Sequence, residues 1–232
     1  MAEPIVTERT AAETAAIDYL RRVARNDAVT AAEQLDAAIG AEGVGAIADA
    51  FADVCRSLMD RVSFGGGTVD VHAVVDEVAT RIVTTAGDDS PDAVDRQRSL
   101  LVFLGSEGLP CAARADVATW SATARLRALV ACAIGLVGIV AEDAGTAPAA
   151  AVETITRPRP ARPASGTFGL AWRGPDGFAE PFAGVVPRGY TAHITFVGSE
   201  QCSLRSIFAR VALLRHAPVT APATLRAPLR SS

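Results

Sequence analysis

"RLRALVACAIGLVGIVAEDAG", residues 125–145, is the most apolar stretch of this 232-residue chain, and its reading decides the fold. From Ala128 to Ala141 every residue is apolar or glycine. In a helix this run spans about 21 Å, short of the roughly 30 Å hydrocarbon core of a bilayer. Lengthening it brings in Arg125 and Arg127 on one side and Glu142 and Asp143 on the other. Arginines both precede and follow it, so the positive-inside rule assigns no orientation. A helix apolar around its whole circumference suits the centre of a bundle. Its small residues Ala128, Ala131, Cys132, Gly135 and Gly138 let neighbouring helices approach closely, although membrane interfaces use the same device. The expectation is therefore a buried core helix, with membrane insertion as the less favoured alternative.

Upstream of this run the sequence reads as a succession of helices. "TAAE" at 10–13 and again at 30–33 matches the capping box, with Thr10 and Thr30 as caps and Glu13 and Glu33 reaching back. Ile17, Leu20, Val23 and Ala24 share one face after the first box. Val44, Ile47, Phe51, Val54, Leu58 and Val62 recur at steps of three and four and form a single stripe. "FGGGT" at 64–68 breaks that helix, and Val71, Val74, Val75, Val78 and Ile82 make the next stripe. "GDDSP" ends it, with Ser90 expected as N-cap and Pro91 at the first helical position. Val94, Leu101 and Leu104 follow, and "GSEGLP" turns the chain into the apolar helix. The fold class expected is mainly α: a bundle of about six helices over 1–145.

Charge and proline divide the chain near residue 145. Residues 1–145 carry 22 acidic side chains against 12 Arg, a net charge of −10; residues 146–232 carry 4 against 10, a net charge of +6. Ten of the 13 prolines lie in the second part. Residues 146–166 read as a Pro/Arg-rich linker of polyproline character. Residues 167–216 read as a partly ordered extension in which "TFGLAWR" and "YTAHITFVG" form short strands, with "GPDG" at 174–177 as a turn signal. Two or three strands are marginal alone and need to dock on the helices. "SLRSIFARVALLRHAP" reads as an amphipathic helix capped by Ser203, and 217–232 as disordered on composition. An Ala-, Arg- and Pro-rich tail is also what GC-rich DNA yields in a shifted reading frame.

Several motifs tempt a chemical assignment. "DDSPD" at 88–92 has the D-D-x-x-D form with which some prenyl-transferring enzymes hold magnesium-bound diphosphate, giving Asp88, Asp89 and Asp92 as candidate metal ligands. Pro91 instead places the cluster at a helix start, where Asp and Ser satisfy free N–H groups and the positive dipole end. His72 and Asp76 stand four apart and are a candidate carboxylate–imidazole pair, although that face also carries Glu77 and Arg81, which are expected to pair. "GGGTVD" lacks the third glycine of the dinucleotide fingerprint, and the chain has no lysine for a Walker loop. Cys55, Cys111, Cys132 and Cys202 lack the spacing of a zinc site.

All 22 basic residues are Arg, a bias that follows from GC-rich coding more simply than from phosphate recognition. Arg157, Arg159, Arg162, Arg205 and Arg210 remain candidate contacts to nucleic acid or a partner. A helix-turn-helix reading of 91–127 fails on its second helix, which opens with Cys111, Ala112 and Ala113 and offers few donors to base edges. The first residues lack the basic and apolar regions of a secretory signal, so a cytoplasmic protein with free thiols is expected. The leading expectation is a noncatalytic helical module acting by protein contact or self-association, with no cofactor. The alternatives are a nucleic-acid binder using the Arg-rich arm and a helical enzyme with a magnesium-binding Asp cluster.

Overall fold

A computed structural model describes residues 9–64, 68–88, 90, 92–105, 112–155, 167–173, 179–181, 191–197, 202–203 and 205. Among them are eight helices: α1 (Ala11–Val23), α2 (Ala28–Glu42), α3 (Val44–Met59), α4 (Val71–Ala86), α5 (Ala93–Gly105), α6 (Ala112–Thr119), α7 (Ala122–Asp143) and α8 (Pro148–Ile155). The protein is mainly α.

Helix α7 is the centre. It packs against α3, α4, α5 and α8 and touches α1. Its length and composition are enough to cross a membrane, yet 61% of its most apolar stretch is buried within the protein. Leu129, Cys132, Ala133 and Leu136 are almost fully buried. The small residues act as the sequence suggested. A Cβ on Gly135 would lie 2.6 Å from the Ile82 Cα and 2.7 Å from its Cγ1, so only glycine lets α4 come this close. The expected stripes face this centre: Ile47, Phe51, Val54 and Leu58 of α3, Val74, Val75, Val78 and Ile82 of α4, and Leu101 and Leu104 of α5 are all buried. Gln97, buried among them, donates from Nε2 to the Ala128 carbonyl at 3.1 Å and fixes α5 against α7.

The helix ends show where local chemistry wins. At α1 the capping box forms fully: Glu13 N donates to Thr10 Oγ1 at 3.1 Å and Thr10 N to Glu13 Oε2 at 3.0 Å. The second "TAAE" does not repeat it. Asn26, the sole Asn, takes φ 61° and turns the chain, so α2 starts at Ala28 behind Asp27, and Thr30 lies inside the first turn. Gly43, at φ 86°, then serves as the hinge between α2 and α3. Helix α5 begins at Ala93, two residues later than Pro91, because the Ser90 hydroxyl is engaged with Asp88 and Arg96.

Two further differences concern the helix count. The segment expected as one last helix is divided into α6 and α7 at Trp120 and Ser121. Ser121 Oγ accepts from Ala124 N at 3.1 Å and starts α7 anew. Helix α8 occupies the first part of 146–166, read as an extended linker. Pro148 sits at its first position, where no donor is needed, and Val152 is fully buried. The Pro-Arg alternation of 156–166 lies outside the described residues, as do GPDG, 206–216 and 217–232.

The backbone also forms strands β1 (Ser63–Phe64), β2 (Thr68–Asp70), β3 (Thr167–Arg173), β4 (Ala179–Pro181), β5 (Thr191–Val197) and β6 (Cys202–Ser203). They make a four-stranded antiparallel sheet in the order β2-β5-β3-β4 and a separate β1-β6 pair. Strands β3 and β5 are the two expected segments. Their attachment to the helices comes through β2, which pairs Val69 with Ile194 and runs directly into α4. Ser203, expected as a helix cap, is instead paired with Ser63 in the β1-β6 ladder.

Candidate functional site

The residues with the best claim to chemistry are built into the scaffold. Asp88 Oδ1 accepts from Ser90 N at 3.1 Å and from Ser90 Oγ at 2.6 Å. Arg96 closes the cluster, donating to Asp92 Oδ2 at 2.7 Å, to Ser90 Oγ at 2.6 Å and to Asp88 Oδ2 at 3.4 Å. Ser90 first, then Arg96, holds the Asp88 carboxyl below its ordinary range. Both described carboxylates therefore face a guanidinium at a helix start. Asp89 lies outside the described residues. Among the described residues no three His, Cys, Asp or Glu side chains converge as metal ligands.

Asp76 does not stand alone with His72. It forms an ion pair with Arg98 of α5, Nε to Oδ1 at 2.7 Å, while the His72 side chain lies outside the described residues. Arg81, expected to pair with Glu77, hydrogen-bonds Glu142 across on α7. Of the candidate contact arginines, Arg157, Arg159, Arg162 and Arg210 fall outside the described residues. Arg205 is engaged with Asp60 beyond the end of α3 at 3.2 Å, which ties the chain after β6 to the helical body.

Cys55 and Cys132 are free thiols facing each other across the α3–α7 contact. Cys55 Sγ donates to the Leu129 carbonyl at 3.6 Å. Burial, and then the neighbouring Cys132, pushes the Cys55 thiol up, so it is held protonated and is a poor nucleophile.

Two surface concavities are lined by described residues. A polar one of about 390 Å³ lies between α1 and α2, lined by Asp18, Arg21, Arg22, Arg25, Asp27 and Gln34. Its charges largely serve one another. Arg21 binds Asp18 and, through Nε and Nη2, Glu153 of α8; Arg22 binds Gln34 and Asp27.

The other is an apolar groove of about 450 Å³. Leu35 and Ile39 of α2 form one wall, and Leu126, Val130, Ala131 and Ile134 of α7 form the other. Tyr19 of α1 lines it too, its ring meeting Phe51 edge to face at 5.7 Å and 79°. Asp36 and Arg127 bring opposite charges to its lining, both exposed. Among the described residues neither has a hydrogen-bond or ion-pair partner.

None of these groove residues stands out as a site in the sequence. Leu35 and Ile39 are too few to announce a stripe, and Arg127 reads there only as the edge of the apolar run. Their one legible signal is the all-round apolarity of α7, which demands more cover than three or four neighbours provide. No protein-family model, no curated protein and no solved structure matches this chain.

Proposed function

We propose that this protein is a noncatalytic helical module that acts through contact with another polypeptide at the α2–α7 groove. The observation that carries the reading is this groove's composition: aliphatic walls, with two charges of opposite sign in its lining that have no partner among the described residues. Water-exposed aliphatic surface gains by being covered, at about 25 cal/mol per Å² removed from water. Unpaired charges beside such a surface supply orientation more than affinity. Asp88 and Asp92 are committed to Arg96 and Asp76 to Arg98, and they support no competing chemistry as strongly. Cytoplasmic residence belongs to the same proposal, supported by two adjacent cysteines that remain free thiols.

A photo-crosslinking residue at Ile39 tests the reading in the full chain. The expected result is a covalent adduct to a polypeptide at that position, absent when the same residue is placed at exposed Val29. Adducts to lipid or small molecules alone would overturn it.

A further inference from the structure

Resting on that reading, we infer that the polypeptide filling the groove is a second copy of this chain, related by a two-fold axis. A two-fold contact that joins residue i to residue j also joins j to i. Asp36 on α2 and Arg127 on α7 stand in one lining, with opposite sign and no partner among the described residues. A two-fold across the groove satisfies both at once: Asp36 of each copy meets Arg127 of the other.

The floor fits the same occupant. Val130, Ala131 and Ile134 line the groove and are left half-buried, on a helix whose other faces are closed by α3, α4, α5 and α8. The small Ala131 among them allows a helix to approach closely. A small anionic amphiphile would match Arg127 but would place its head near Asp36. An anionic bilayer would meet Glu33, Asp36 and Glu42 on α2, a helix that carries no basic residue. A second copy meets neither conflict, and the net charge of −4 over 232 residues opposes association only weakly.

Sedimentation velocity of the full chain, across about 1–100 μM, is the first measurement, in the range where modest interfaces populate dimers. A concentration-dependent dimer is expected. Arg127→Asp and Asp36→Arg then each place like charges at both symmetric contacts and weaken the dimer by about tenfold or more. Mixing the two variants is the decisive step. The heterodimer pairs Asp at 127 of one copy with Arg at 36 of the other, and Arg127 with Asp36 at the second contact, so association returns.

An intrachain role for these charges would give no rescue on mixing. Both positions are exposed, and unchanged circular dichroism checks that the variants remain folded. Ile39→Glu, in the wall, abolishes the dimer independently of the charges. A chain that stays monomeric throughout, or single variants that stay monomeric when mixed, overturns the two-fold dimer. If Ile39 still crosslinks to a different protein in that case, the interaction reading survives; if it crosslinks to no polypeptide, both fall.

Discussion

Helices α2 and α7 face each other across the groove and have similar apolar character, yet they hold the protein together very differently. Eleven residues of α7 are buried, whereas of the 15 residues of α2 only Ala31 is. Helix α7 is enclosed by neighbours, while α2 rests on α1 with a lighter contact to α3. Apolar composition alone does not define a core; the number of elements that converge on a helix does. The body of the protein is thus organised around α7, and α2 is a cover that closes one side incompletely.

The largest separation between the two helices is expected from matched leucines. Leu129 is 1% exposed and touches the core on all sides, so Leu129→Ala removes packing that cannot be replaced and costs about 2–5 kcal/mol. Leu35 is only half-buried, and Leu35→Ala costs about 1 kcal/mol or less. Urea denaturation of the two variants measures the difference directly. Equal losses would mean that α2 belongs to the core as fully as α7.

Matched glycines sharpen the contrast, because the sign of the effect reverses. Gly135→Ala drives a methyl group against the Ile82 backbone, and relief requires α4 to move; the expected loss is about 1–3 kcal/mol. At Gly40 nothing lies within 4 Å of the added carbon, and the residue is within a helix. Gly40→Ala therefore gains up to about 1 kcal/mol by helix propensity. Thermal unfolding of both variants at one pH decides this, and a stabilised Gly135→Ala protein would refute the close approach of α4 and α7.

How much of this was legible follows from the range over which each feature is determined. The stripes of α3 and α4 were readable because periodicity is local and each apolar position reports its own burial. Thr10 and Glu13 were readable for the same reason. The identical letters at Thr30 and Glu33 misled because the start of α2 is set upstream, by the left-handed turn at Asn26. Ser121 carried a cap signal, but the apolar run beyond it made one continuous helix the simpler reading. Helix α8 was hidden by its composition: proline-rich sequence reads as extended, although Pro148 at a first helical position costs nothing. Strand β2 was less accessible still. Three residues after "FGGG" acquire strand geometry by pairing with β5, more than a hundred residues away, and no local pattern encodes such a partner. The groove was missed because it is a property of two helices together.

The helix starts provide a smaller test of the same kind. Thr10→Ala removes the hydroxyl that accepts from Glu13 N in the α1 capping box and is expected to cost about 1 kcal/mol. Thr30→Ala, inside the first turn of α2, is expected to change stability by no more than about 0.5 kcal/mol. A comparable loss at both positions would show that the Thr30 hydroxyl, through Asp27 or Glu33, holds the start of α2 as firmly as Thr10 holds that of α1.

The smallest effect concerns acid. The nearness of Thr30, and then of Arg22, holds the Asp27 carboxyl below its ordinary value of 3.8. A lowered carboxyl contributes stability that is fully present above 3.8 and is lost as pH falls through its value in the folded protein. Asp27 precedes α2 alone, so the loss is local: the first amides of α2 exchange faster with solvent as the pH drops below 3.8, while those in the middle of α7 hold their protection. Asp27→Asn removes the titrating group and flattens that dependence without touching α7. Amide exchange followed by mass spectrometry resolves the two helices separately. Parallel loss of protection in both would mean that α2 and α7 unfold as one unit, and that the cover is coupled to the core more tightly than its single buried side chain implies.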